Sequence, residues 1–96
     1  MLWACWYDAA YGDGSHAWYT CAASRDGRRW SAPERAAGVA SDPRSLFADG
    51  ATSGLYGSVA AADGVAHPVW IDTRRLELLE EAYTAALPER AALARR

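Results

Sequence analysis

With 96 residues, 51% of them apolar on a count that includes Ala, the chain has room for a thin core but not for a closed ring of four or more four-stranded blades. Its basic residues, all Arg, number 10 against 12 acidic residues, and the net charge of −2 provides no basic field of the kind that draws nucleic acid or an anionic membrane. No run approaches the ~18 consecutive apolar residues of a membrane span, and no charged segment followed by an apolar run marks a signal peptide.

The chain opens on Leu2-Trp3-Ala4-Cys5-Trp6-Tyr7, which reads as a buried strand and is expected to start inside a larger fold. Gly12-Asp13-Gly14 supplies a turn, since glycine tolerates positive φ and Asp bonds its own backbone, and His16 to Ala23 reads as the returning strand. A hairpin symmetric about Asp13 sets Tyr7 opposite Tyr19, Trp6 opposite Thr20 and Cys5 opposite Cys21. Two outcomes are open for the cysteines. At a non-hydrogen-bonded pair the Cα atoms lie about 4.5 Å apart, which a disulfide spans; in a reducing compartment the same residues remain two buried thiols.

Next comes Ser24-Arg25-Asp26-Gly27-Arg28-Arg29-Trp30, which resembles the Asp box, Ser-x-Asp-x-Gly-x-Thr-Trp, with one residue deleted and Arg29 in place of Thr. The resemblance implies a structural turn. The Asp26 carboxylate is expected to accept backbone N–H groups, Gly27 to take the unusual dihedral, and Trp30 to pack beneath the turn as an anchor. Arg29 to Ala36 reads as a further strand, and Ala37 to Gly54, rich in Gly, Ala, Ser, Asp and Pro, as a loop.

A second strand pair follows, Tyr56 to Ala62 and Val65 to Ile71, around Asp63-Gly64, a dipeptide that favours a two-residue hairpin turn. From Leu76 to Leu87 the apolar spacing alone suggests a helix. An internal repeat argues otherwise. Trp6 matches Trp70, Asp8 matches Asp72, Tyr19 matches Tyr83 and Thr20 matches Thr84 at one constant offset, so the chain contains two copies of a Trp-x-Asp … Tyr-Thr hairpin. The repeat predicts a strand over Glu81 to Leu87, a loop over Arg75 to Glu80, a stop at Pro88 and a short helix within Glu89 to Arg96.

The stretch from Tyr56 through Trp70-Ile71-Asp72-Thr73-Arg74 to Tyr83-Thr84-Ala85-Ala86-Leu87 resembles the last repeat of bacterial sialidase-like (BNR, or Asp-box) β-propeller proteins. The resemblance implies an all-β chain of about one and a half antiparallel blades. Residues 1–40 would hold strands two to four of the penultimate blade, 41–54 an inter-blade loop, 55–88 strands one to three of the last blade, and 89–96 a polar tail. It further implies an extracellular parent protein that hydrolyses glycans as an exo-α-sialidase, without cofactor or metal. The partners would be the rest of the propeller chain, or a second copy bound through the open edge strand. A non-catalytic propeller binding carbohydrate or protein is the alternative, and a freestanding small α+β protein is a third.

By the same resemblance Tyr56 occupies the position of a tyrosine nucleophile, a phenol that is a weak nucleophile until a neighbouring carboxylate takes its proton. The reaction also needs an arginine clamp and an acid on other blades, and none of Arg25, Arg28, Arg29, Arg35 or Arg44 is singled out for the clamp. Inner-strand packing is therefore the preferred role for Tyr56, and an inactive isolated chain is expected. Asp8 and Asp72, each following a Trp-x pair at an equivalent position, read as strand-end hydrogen-bonding groups. His16 and His67 share no metal-ligand spacing with the cysteines.

Overall fold

The computed structural model describes residues 1–8, 17–38, 57–72 and 81–94. The Gly12-Asp13-Gly14 turn, His16, Tyr56, the loop at 75–80 and nearly all of the 37–54 segment lie outside the described residues. The described residues are mostly antiparallel β with one short helix, as expected from the sequence. In order it forms β1 (Leu2–Asp8), β2 (Trp18–Ser24), β3 (Glu34–Arg35), β4 (Gly57–Ala62), β5 (Val65–Asp72), β6 (Glu81–Thr84), β7 (Leu87–Pro88) and α1 (Glu89–Leu93). Two sheets result, β1-β2-β3 and β4-β5-β6, with β7 also paired to β5.

The first hairpin has the register of a turn symmetric about Asp13: Cys5 faces Cys21, Trp6 faces Thr20 and Tyr7 faces Tyr19. On the far side of β2 the ladder to β3 is shorter than the expected Arg29–Ala36 strand. An isolated Ser24–Trp30 bridge precedes it, and the pairing then slips by one residue before Cys21 meets Glu34. The interrupted stretch contains Pro33, which has no N–H to offer. Ser31 fills the gap: its N–H donates to the Ala23 carbonyl at 2.8 Å and its Oγ accepts the Ala23 N–H at 2.9 Å. This is a β-bulge closed by a side chain.

The second hairpin turns on Asp63 and Gly64, with φ of 53° and 76°, the double positive φ of a type I′ turn whose twist matches its strands. Pro68 sits in the central strand β5, where a proline is rare because it removes a ladder donor. Its carbonyl accepts from Ala85 N–H at 3.4 Å and from Thr84 Oγ1 at 2.8 Å, so the lost donor faces β6 and β7. The two short strands are interrupted opposite that position, which is why the expected single strand Glu81 to Leu87 appears in two pieces. Pro88 closes β7, and α1 begins directly after it.

The two copies of the repeat are not paired identically. Trp6 faces Thr20 in the first sheet, whereas Trp70 faces Tyr83 in the second, a displacement of one residue. Such a slip exchanges the faces of a strand. Here it turns Tyr83 and Leu87 toward the first sheet, where Leu87 is buried in the core. The equivalent of Leu87 in the first copy is Ala23, so the larger side chain in the second copy gains more from the inward register.

The sheets pack face to face through an aromatic column. Tyr7 meets Tyr19 edge-on at 4.9 Å, Tyr19 stacks on Trp70 at 5.3 Å, and Trp70 stacks on Tyr83 at 6.4 Å between centroids. Tyr19 and Trp70 are buried, and each such pair contributes about 0.5–1.5 kcal/mol beyond the area it hides. Gly57 makes the approach possible, since a Cβ there would lie 2.6 Å from Tyr19 Cζ. Burial also holds the Tyr19 phenol above the ordinary tyrosine range.

Gly57→Ala is therefore expected to force Tyr19 off Trp70 and to cost about 1–3 kcal/mol, the usual range for overpacking. A urea midpoint for Gly57→Ala equal to that of the unsubstituted chain would contradict this packing. Because the Tyr19 pKa is raised in the fold, its contribution is complete below the ordinary phenol pKa and lost as pH rises through the folded value. The alkaline limb of the stability profile should accordingly flatten in Tyr19→Phe.

Candidate functional site

The turn after β2 is the polar constellation that the sequence singled out, and its residues do come together. Ser24 ends β2 fully buried, and its Oγ accepts the Gly27 N–H at 2.8 Å and the Asp26 N–H at 3.3 Å while donating to Asp26 Oδ1 at 3.3 Å. Asp26 Oδ1 in turn accepts the N–H groups of Arg28 at 2.8 Å and Arg29 at 3.0 Å. Gly27 takes φ of 78°. Two side-chain oxygens thus collect four backbone donors that a tight turn would otherwise leave to solvent.

The backbone N–H of Arg29, then that of Arg28, and then the Ser24 hydroxyl hold the Asp26 carboxyl below the ordinary aspartate range. This carboxylate is engaged in holding backbone, as the Asp-box resemblance implies. Trp30 departs from that expectation. It is 41% exposed and is not an anchor beneath the turn. With the turn one residue short, Trp30 falls into the bridge opposite Ser24, and the apolar group lying against Gly27 is Leu2, whose Cδ1 would be 3.3 Å from a Cβ at that position.

Cys5 and Cys21 are brought together across β1 and β2, with Sγ atoms at 2.13 Å and Cα atoms 4.1 Å apart. The parity of the ladder explains the proximity. The carbonyls of Tyr19 and Ala23 accept from Ala36 and Ser31 on the β3 side, so the backbone of Cys21, two residues from each, also points that way. Its pair with Cys5 is therefore the narrow, non-hydrogen-bonded kind. Cys21 is 1% exposed and belongs to the same core as Tyr19 and Trp70.

One tie between the sheets was not visible in the sequence. Tyr7 Oη donates to the Ile71 carbonyl at 2.8 Å and accepts the Ile71 N–H at 3.0 Å. Because Pro68 turns its carbonyl toward β6, the backbone of Ile71, three residues on, points to the opposite side, past Gly57, the first residue of β4. A phenol from the first sheet satisfies it there. Tyr7 and Ile71 are 64 positions apart, equivalent places in the two repeat copies, and equivalence alone does not signal a contact.

Arg35, on β3, lies 3.9 Å above the ring of Trp18, another pairing the sequence did not suggest. A shallow cavity of about 200 Å³ opens between Gly57, Ser58, Val69, Trp70 and Ile71. Its lining is mostly apolar, able to receive a ring or a small apolar group, and holds one hydroxyl, that of Ser58, with no acid or base among the lining residues to activate it. Among the described residues no three His, Cys, Asp or Glu side chains gather as a metal would require. Tyr56 lies outside the described residues, so the structure neither brings it to this cavity nor separates it from it.

Two outcomes check these assignments. Oxidatively prepared protein should weigh about two mass units less than its reduced form and resist alkylation, and replacing both cysteines with Ala should cost about 3 kcal/mol for a loop of about 15 residues. Stability supplied by Asp26 should be present above the ordinary aspartate pKa of about 3.9 and disappear as pH falls through the lowered folded value. Asp26→Ala should remove that part of the acid limb, read as the change in urea midpoint between neutral and acidic buffer.

Comparison of the chain with protein-family models, with curated proteins and with solved structures finds no match.

Proposed function

We propose that the chain contributes two neighbouring blade-like sheets to a sialidase-like β-propeller that hydrolyses glycans outside the cell, and that its described residues build the framework around the site. The observation that carries this reading is the packing of one repeat copy on the other: Trp70 of the second copy stacks on Tyr19 of the first, joining two units with one sequence pattern face to face. The Ser24–Asp26 turn supports it, because its geometry follows the Asp-box logic of carboxylate, hydroxyl and left-handed glycine. By resemblance Tyr56 is the candidate nucleophile of the whole protein, with the arginine clamp and the acid on other blades.

A non-catalytic propeller that binds carbohydrate or protein is the second reading. The engagement of Ser24 and Asp26 is common to both readings, since both oxygens are committed to backbone N–H groups and such a turn maintains a blade in either.

The purified 96-residue chain is expected to show no turnover of a fluorogenic sialoside. Turnover that Tyr56→Phe abolishes would overturn the framework role. In a longer polypeptide carrying the upstream blades, sialoside turnover lost on Tyr56→Phe supports the hydrolase, whereas glycan binding without turnover selects the second reading.

A further inference from the structure

The turn after β2 concentrates positive charge in a chain whose net charge is −2. Arg25, Arg28 and Arg29 fall within five residues, all of 25–30 is exposed, and the one carboxylate among them is that of Asp26. Its Oδ1 is engaged by the backbone N–H groups of Arg28 and Arg29 and not by their side chains. Among the described residues none of the three guanidinium groups is paired with a carboxylate.

Trp30 is the second observation. It follows the arginines directly, closes the turn through its bridge to Ser24 and leaves 41% of its surface in water. An indole offers a flat apolar face with a donor at its edge, and tryptophan and arginine are the residue types that binding surfaces concentrate. The turn is also fixed beforehand. Ser24 Oγ and Asp26 Oδ1 hold four of its backbone N–H groups, so a ligand has only the side chains left to order.

The chemistry of these groups selects the ligand. A guanidinium presents a planar fork that meets the oxygens of a sulfate or carboxylate two at a time, and three forks on one turn suit anions that are closely spaced. The exposed indole suits the C–H face of a sugar ring. An anionic bilayer spreads its charge over a plane and recruits clusters of about four to eight basic residues, more than this turn carries.

We propose that the Ser24–Trp30 turn binds a sulfated glycan, with Arg25, Arg28 and Arg29 on the sulfates and the Trp30 indole against a sugar ring. The proposal rests on this turn alone and is independent of hydrolysis at Tyr56.

Fluorescence anisotropy of a labelled heparin oligosaccharide, titrated with the oxidised chain at low salt, should show saturable binding that is lost near about 1 M salt, where charges are screened within a few ångströms. Replacing Arg28 and Arg29 together with Ala leaves both backbone N–H groups on Asp26 and should weaken binding at least about tenfold, with unchanged near-ultraviolet circular dichroism. The paired replacement by Lys keeps the charge without the fork and should recover only part of the loss. Trp30→Ala should weaken heparin while leaving polyglutamate, a polyanion without sugar rings, unaffected. No binding at low salt, or binding that the double Ala variant retains in full, overturns the site. Equal affinity for desulfated heparin overturns the role of the sulfates. Polyglutamate bound as tightly as heparin, or tighter binding to vesicles containing phosphatidylserine, overturns the glycan as the partner. None of these outcomes bears on sialoside turnover in a longer polypeptide.

Discussion

The stack of Tyr19 on Trp70 above Gly57 is the contact that makes two hairpins into one structure. Either sheet alone is a ribbon of two long strands with one or two short ones beside them, marginal in water without a covered face. The chain brings few large aliphatic side chains to this task. Its buried core is largely Ala, with Tyr19, Trp70 and Leu87 as the bulk. Area then comes from flat rings, and flat rings pack closely only where the opposing backbone carries no side chain. Gly57 meets that requirement at the first residue of β4. The position of the second sheet is therefore set by one glycine and one ring, and the remaining contacts follow from it.

Once the sheets approach, their backbones need partners, and side chains supply them wherever a strand fails. Tyr7 completes Ile71 beyond the start of β4, Ser31 completes Ala23 across the bulge, and Thr84 adds a donor at the Pro68 carbonyl. Each is a hydroxyl, which can donate and accept at one atom and so can replace a missing residue in a ladder. An unmet buried donor or acceptor costs about 1–3 kcal/mol, comparable with the gain from a ring contact, so these three hydroxyls are as necessary to the fold as the stack. Trp3 is an exception within the described residues, because its indole nitrogen is buried without an acceptor. Packing area against the core offsets that loss.

How much of this was legible in the sequence depended on the range of the interaction that carried it. Asp63-Gly64 determines its turn through its own dihedrals, and the glycine-flanked Asp13 was enough to place Cys5 opposite Cys21, because a two-stranded register follows from a centre of symmetry. The Ser24–Asp26 turn was legible for the same reason: every bond in it spans three residues or fewer. What failed was non-local. Trp30 is an anchor only if the turn has full length, and one deleted residue moved it to an exposed bridge. The two repeat copies pair one residue out of step, with Leu87 buried where the first copy has Ala23, and the repeat itself does not record that difference. The bond from Tyr7 to Ile71 depends on where β4 begins and on which way Pro68 faces, neither of which a motif records.

The distribution of polar chemistry follows from the same economy of material. In so thin a core, hydroxyls and carboxylates near the backbone are drawn into completing it, as Ser24, Asp26, Ser31 and Tyr7 are. Asp26 illustrates the consequence for reactivity. The N–H groups that stabilise its turn lower its pKa, which makes the carboxylate a poorer base, so the residue best placed to hold the turn is thereby the least suited to take a proton from a nucleophile. Among the described residues, what the fold leaves available is surface, including the outer face of the second sheet and the cavity at its edge. Each sheet thus commits one face to its neighbour, and the polar groups nearest that contact are spent on holding it.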